Sequence, residues 1–302
     1  MSVSRKVVVT GTAGNLGSHL VPLLVADRFE VKGIDVAEPA SPPPQGSSFE
    51  KVDLADSEAA RRAIEGCDFV VHCASIFPRL PYKDHEYIDN NIKGTWNVYT
   101  AAVALGIDRI VLTSSVNAVG NVNIPPAAWP VKEESQFSFG GLYCLSKHFQ
   151  EDIARHFADK GQVRTLALRP STFCPAGEMG FGVGLLHGRY VSVDDMATAH
   201  AAAARVISGA QKPGGPLAAF EAFNTTYQPP YTQDDLGRLG PGADTAALVK
   251  MHWPKEYEWM AAHGYQGQAL SAVAVYDNSK AKRLLGWEAR YTFDDWFAEH
   301  AK

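Results

Sequence analysis

The sequence predicts an α/β protein, a doubly wound parallel sheet with a smaller C-terminal lobe. Three observations predict it. Apolar, β-branched runs alternate with stretches of helical periodicity through the first half of the chain. A glycine-rich turn joins the first such run to the first helical stretch. Gly11, Asp35, Asp53, Ser75, Ser115 and Arg169 all fall at the carboxyl ends of predicted strands, where sheets of this kind bind their ligands.

The first strand is the run Val7-Val8-Val9, and Gly11-Thr12-Ala13-Gly14-Asn15-Leu16-Gly17 follows directly. Glycines there let the backbone turn tightly, approach an anion closely and enter a helix whose N-terminal amides favour negative charge. The spacing is Gly-x-x-Gly-x-x-Gly rather than the general Gly-x-Gly-x-x-Gly, so context supplies the specificity. Leu16, Leu20, Leu23 and Leu24 pattern the helix, and a second strand from Val31 to Ile34 ends on Asp35. An acid about 20 residues past the loop is placed to accept ribose hydroxyls, so the loop is read as the seat of a dinucleotide pyrophosphate. Pro22 removes one backbone donor inside the helix and predicts a kink or a loosened turn.

Further along, residues 39–48 form a Pro- and Ser-rich loop, and strand 48–52 closes on Asp53-Leu54. Helix 57–64 is capped by Asp56 or Ser57. A buried strand, 68–73, ends in Ala74-Ser75; helix 91–105 and strand 109–113 come next. After a loop with Pro125, Pro126 and Pro130, a long helix covers 141–158 and a strand 163–168. Beyond residue 170 the alternation weakens, although helix 193–207 and strand 222–224 return to the sheet. Residues 1–170, with 191–226 returning, are thus expected to form the cofactor domain, and 171–190 with 227–302 the smaller lobe.

Composition narrows the function classes. The 302 residues are 46% hydrophobic and 20% charged, which suits a soluble α/β protein with one sizeable core. A net charge of −5 without a basic stripe gives no electrostatic footprint for nucleic acid or an anionic membrane. Cys67, Cys73, Cys144 and Cys174 show no paired spacing, and no cationic segment followed by an apolar one opens the chain. Apolar stretches fall short of the roughly 18 to 20 residues a membrane helix needs. A reducing cytoplasm is the expected home. His252 and His263 have no partner at ligand spacing, and Asp194-Asp195 reads as the cap of the helix through residue 207, so no metal is expected.

The chemistry is carried by Tyr143 and Lys147, four apart and therefore on one face of the predicted helix. A phenol's ordinary pKa lies near 10, and a neighbouring ammonium stabilises the phenolate, which makes the hydroxyl a usable acid or base. A serine at a nearby strand end can orient an alcohol or carbonyl. Ser114 and Ser115 point to opposite sides, and the offset from Gly120 favours Ser115.

These features, together with His72-Cys73-Ala74-Ser75, Asn91-Ile92-Lys93-Gly94-Thr95, Leu112-Thr113-Ser114-Ser115, Arg169-Pro170, Val193-Asp194-Asp195 and the run from Ser279 to Trp287, give the chain its resemblance. It resembles an extended short-chain dehydrogenase/reductase, almost end to end, with the Rossmann-type sheet of that family. The resemblance implies that Tyr143 is the acid/base, that Lys147 lowers its pKa and holds the nicotinamide ribose, and that Ser115 bonds the reacting oxygen. It implies further that Gly11, Gly14, Asn15, Leu16, Gly17, Asp35, Asp53, Leu54, Cys73, Ala74, Ser75, Asn91, Pro170 and Thr172 hold the cofactor. Asp35 repels a 2′-phosphate and no Arg or Lys follows through Glu38, so NAD is expected over NADP. Relatives often dimerise through the two helices holding 91–105 and 143–158, which makes a homodimer the expectation.

The path from Arg169-Pro170 to Val193-Asp194-Asp195 is short and rich in glycine, with Gly177, Gly180, Gly182, Gly184 and Gly188. That leaves reduced room for a nucleotide clamp and is similar to the uronate dehydrogenases, which oxidise a free sugar. Ser75, Ser115, Asn117, Thr172, His187 and Arg189 are the candidates for holding a small polyhydroxylated or acidic substrate; Arg189 can grip a carboxylate or sulfonate in a fork or be a surface cation, and His187 can be a loop residue. The longer tail after residue 225 and Val116-Asn117 after the serine pair depart from the uronate enzymes. Trp253, Tyr257, Trp259 and Tyr265 read as a substrate lid or as packing of the lobe. The expected reaction is hydride transfer between a free sugar, sugar acid or related alcohol and NAD. The alternative is a nucleotide-sugar epimerase or dehydratase that retains its NAD, and a non-catalytic NAD sensor is opposed by the intact Ser115, Tyr143 and Lys147.

Overall fold

The computed structural model describes residues 5–78, 81–121 and 124–301. Seven parallel strands form the central sheet in the order β3-β2-β1-β4-β5-β6-β9. They are β1 (Arg5–Thr10), β2 (Phe29–Asp35), β3 (Ser47–Lys51), β4 (Phe69–His72), β5 (Arg109–Thr113), β6 (Arg164–Pro170) and β9 (Phe220–Thr225). A parallel sheet needs cover on both faces, and Val7, Val8 and Val9 are accordingly all fully buried. Order reverses between β1 and β4, which makes their carboxyl ends the switch point where a ligand fits.

One face is covered by α1 (Asn15–Ala26) and α7 (Val193–Ile207), whose Leu20, Leu24, Met196 and Ala203 join one apolar cluster. The other face carries α2 (Ser57–Ile64), α4 (Gly94–Ala104) and α5 (Leu142–Asp159), which contribute Ile64, Tyr99 and Phe157 to a second. Asp56 caps α2 through the Glu58 and Ala59 amides. Pro22 sits inside α1, which nevertheless runs unbroken over its twelve residues.

The stretch expected as helix 91–105 begins earlier and differently. A short α3 (Asp84–Tyr87) leads into a π-helical segment, Ile88–Lys93, before α4. The wider turn brings Asn91 inward, fully buried, where its carboxamide holds both the N–H and the carbonyl of Ile76. A second correction concerns α7. Its cap is Ser192, whose hydroxyl accepts the Asp195 amide, while the Asp195 carboxylate accepts the Arg290 and Tyr291 amides and so ties down the C-terminal tail.

After β6 the chain adds a two-stranded parallel sheet, β7 (Thr172–Cys174) with β8 (Tyr190–Ser192), bridged by α6 (Met179–Leu186). The remaining helices are α8 (Gln233–Leu239), α9 (Thr245–His252), α10 (Pro254–Ala262), α11 (Ser279–Leu285) and α12 (Phe293–His300). Trp253, Met260, Phe293 and Trp296 belong to the same apolar cluster as the α1 and α7 face of the sheet. Among the described residues, the late segments therefore share their core with that face of the sheet. Of the four aromatics that read as lid or packing, Trp253 and Tyr265 are buried in this cluster and Tyr257 and Trp259 pack against it. None of the four lines the cavity described next.

Candidate active site

The strand ends open on one cavity of about 870 Å³. On the β2–β3 side it is lined by Gly11, Gly14, Asn15, Leu16, Asp35, Asp53 and Leu54. On the β5–β6 side stand Ser115, Asn117, Tyr143, Lys147, Pro170, Thr172 and Arg189, with Cys73, Ala74 and Ser75 between. Among the sequence-predicted residues Gly17, Asn91 and His187 are not on this wall.

Each of those three acts from behind. A Cβ on Gly17 would lie 2.4 Å from the Gly11 carbonyl oxygen and 2.5 Å from Thr12 Cα, so this glycine lets α1 close onto its own entry loop. Gly11, at φ +76°, would likewise put a Cβ 2.8 Å from the Ala74 backbone. Asn91 pins the loop after β4 through Ile76 and also donates to the Ser146 hydroxyl. His187 is buried against the Tyr265 hydroxyl at 3.3 Å, with burial pushing its pKa down to about 4.

The wall fits a dinucleotide. Gly14 enters α1 without any side-chain cap, so the first-turn amides and the positive end of the helix dipole face the cavity. The Asp35 carboxylate is held by the Ala13 and Ala37 amides at 2.9 and 3.1 Å, and Val36 and Ala37 beside it supply no cation for a 2′-phosphate. Asp53 is turned back onto the Ala55 amide. The Ser75 and Ser171 hydroxyls are buried on the wall with no partner among the described residues, which is costly unless a ligand satisfies them.

Around the phenol the geometry is tight. Ser115 engages the Tyr143 hydroxyl and its own oxygen accepts the Asn117 amide at 3.2 Å. Lys147 Nζ donates to the Thr113 carbonyl at 3.0 Å and lies 5.9 Å from the Tyr143 ring centroid. Ser114 points away, to Glu151. A neighbouring ammonium is expected to lower the phenol's pKa, but within the protein alone burial dominates: it drives Tyr143 well above its ordinary value, and Ser115 pulls it part of the way back. Burial also brings Lys147 down to about 7, against the opposing pull of Cys73 and Glu151. The phenol is thus held as the neutral, proton-donating form, with a lysine that titrates near neutrality beside it.

Arg189 is on the wall but engaged. Its Nε donates to the Ala272 carbonyl and its Nη2 to the Ser271 carbonyl at 3.0 Å, which fastens the late 271–274 segment over the cavity. Sequence reasoning missed several wall residues, chiefly Phe77, Tyr82, Ile124, Tyr190, Val273 and Tyr276. Phe77 meets the Tyr143 ring edge-on, with centroids 5.2 Å apart. Its place two residues past Ser75, on a strand end already assigned to the site, is a signal that could have found it. Val273 and Tyr276 fall in no motif.

A serine, a phenol and a lysine converging beside a dinucleotide cradle are the arrangement of the short-chain dehydrogenase/reductase type of α/β protein. The comparisons agree: residues 7–186 match the NAD dependent epimerase/dehydratase family, and the chain belongs to it, in the extended short-chain dehydrogenase/reductase group with NAD as cofactor. A uronate dehydrogenase of Pseudomonas syringae pv. tomato is 29% identical over 175 residues, 57% of this chain and 60% of that enzyme. The match therefore spans about three fifths of that relative's length. An L-arabinose 1-dehydrogenase (NAD(P)(+)) of Haloferax volcanii is 31% identical over 58% of this chain and 69% of its own. A short-chain dehydrogenase/reductase superfamily protein of Agrobacterium tumefaciens, solved with bound NAD, superposes with a TM-score of 0.71 at 23% identity, covering 98% of this chain and 96% of that one.

Proposed function

We propose that the protein is an NAD-dependent dehydrogenase acting on a small polyhydroxylated substrate, a free sugar, sugar acid or related alcohol. The observation that carries this is the convergence of Ser115, Tyr143 and Lys147 on the same cavity as the glycine loop and Asp35. NAD, when bound, supplies the hydride acceptor. Ser115 orients the substrate hydroxyl, Tyr143 Oη takes or returns its proton, and Lys147 holds the ribose and balances the phenolate as it forms. The site residues keep the roles the resemblance implies, with Gly17 and Asn91 acting through the loops they hold. Residues 171–190 and 227–302 serve as the substrate lobe.

The short path between β6 and α7, 22 residues from Ser171 to Ser192, and the sugar and sugar-acid dehydrogenases among its relatives favour a free sugar over a nucleotide sugar. The test is a panel of free uronates and aldoses with NAD, followed at the nicotinamide absorbance. Net reduced coenzyme with a free sugar or sugar acid supports the reading; a tightly retained NAD with no net reduction, and turnover of a nucleotide sugar instead, replaces it with the epimerase or dehydratase.

The working form is proposed to be a cytoplasmic homodimer. Trp96 and Phe149, on α4 and α5, are 45% and 40% exposed and share a shallow apolar hollow with Ile92 and Ile153. All four cysteines are free, and among the described residues no helix is long and apolar enough to cross a membrane. Trp96→Glu is expected to convert a dimer to monomer in sedimentation velocity; a wild-type protein that sediments as a monomer at micromolar concentration overturns the dimer.

A further inference from the structure

Three consecutive residues at the exit of β5 meet three side chains of α5. The Thr113 carbonyl accepts Lys147 Nζ, the Ser114 hydroxyl donates to Glu151 Oε1 at 2.5 Å, and the Ser115 hydroxyl engages the Tyr143 phenol. Residues 143, 147 and 151 are spaced by four, so they share one face of the helix. Two of these three contacts belong to the reaction already described. The third is unaccounted for, because Glu151 does not line the cavity and is 3% exposed.

The Glu151 carboxylate is fully engaged. Arg169 Nε donates to Oε1 at 2.7 Å and Nη2 to Oε2 at 2.6 Å, a two-pronged pair, and Arg155 Nη2 stands 3.6 Å from Oε2. Arg169, 2% exposed, also donates Nη1 to the Glu133 carbonyl at 2.7 Å. A buried ion pair is weak evidence of stability, since desolvation offsets most of the attraction. What the pair does achieve is register: α5, β5 and β6 are fastened together one residue away from Ser115.

We propose that Glu151 is a positioning residue of the reaction: through Ser114 it fixes α5 against the exit of β5 so that Tyr143 stands opposite Ser115. The proposal rests on the dehydrogenase reading for its kinetic test. Glu151 has a second effect through the same placement. The groups facing Lys147 are His72 and Cys73 from the end of β4, His200 from α7, and Tyr143 and Glu151 from α5 itself. Glu151 is the carboxylate among them, so its charge favours the ammonium that burial opposes.

Glu151→Ala would strand the Arg169 charge and threaten the fold, so two milder variants carry the test. Ser114→Ala removes the tie and leaves the ion pair whole; Glu151→Gln keeps the acceptor and removes the charge. Both are expected to lower kcat on the order of 10-fold with KM for NAD nearly unchanged, Ser114→Ala through a small misplacement and Glu151→Gln through the weakened Lys147 ammonium. Competitive acetylation of Lys147 against pH, read by mass spectrometry on the NAD-free protein, adds a readout that needs no substrate. Its midpoint is expected to move to lower pH in Glu151→Gln and to stay in place in Ser114→Ala. Wild-type kcat in both variants with only a lower Tm makes Glu151 structural and overturns the proposal. Absence of turnover by the wild type on every substrate sinks the dehydrogenase reading instead, and then an unmoved Lys147 midpoint in Glu151→Gln overturns the proposal by itself.

Discussion

The two sides of the cavity are built by opposite means. The β2–β3 side is backbone and sheet ends: a glycine loop, uncapped amides and Asp35, all within the first 60 residues. The β5–β6 side is side chains drawn from far apart, with Phe77, Tyr143, Tyr190 and Tyr276 meeting on one wall. A backbone-made site tolerates little change of residue and accepts one ligand class, whereas a wall of side chains can be altered position by position. Cofactor is thereby fixed by chain geometry, and substrate by side-chain choice.

That contrast can be broken most forcefully at Gly17. Gly17→Val must displace backbone at 2.4 Å, so NAD binding measured by calorimetry is expected to vanish; retained binding would mean the loop is not the cradle. At Asp35 the effect is smaller and selective. Asp35→Ser is expected to weaken NAD by roughly 10-fold, as loss of a charged hydrogen bond does, and to raise the share of NADP turnover. Across the cavity, Phe77→Ala removes a ring contact with Tyr143 and is expected to raise substrate KM by about 5-fold while leaving the NAD dissociation constant alone. An equal loss for both ligands would erase the distinction between the two sides.

A separate effect, on stability rather than binding, is one of pH. His72 and His200 are buried under the strand ends, and burial, with repulsion from Lys147, takes their pKa values down to about 3 and about 4. Both are neutral in the fold, so the unfolded chain takes up protons first as pH drops below 6.5, and stability present above that value is lost on the way down to 4 and 3. For His200 the loss by pH 4 is on the order of 3 kcal/mol. Urea midpoints should fall over this window, and His200→Gln should flatten the slope.

The same contrast explains what the sequence could tell. Gly11 to Gly17, Asp35 and the Tyr143–Lys147 pair were legible because fixed spacing along one strand, turn or helix face becomes fixed geometry. Strand alternation lets only one of Ser114 and Ser115 face the site, and the offset from Gly120 favoured Ser115; the structure turns Ser114 to Glu151. Arg189 was legible as a cation at the site but not as one engaged by the Ser271 and Ala272 carbonyls, because that contact joins residues more than eighty apart. Gly17 and Asn91 lie on helices that pack against cavity-lining loops, and whether a residue touches a ligand or holds the loop that does depends on packing no spacing records. Within the protein alone the phenol's pKa lies above its ordinary value because burial outweighs the Ser115 hydrogen bond, a balance that no spacing records.

The central claim, that Tyr143 does the proton chemistry beside a bound nicotinamide, is tested most directly by Tyr143→Phe assayed for turnover and NAD binding on one preparation. Loss of one hydroxyl should lower kcat on the order of 1,000-fold while the NAD dissociation constant stays within about 3-fold of wild type. Turnover within a few-fold of wild type would place the acid/base elsewhere and contradict the account.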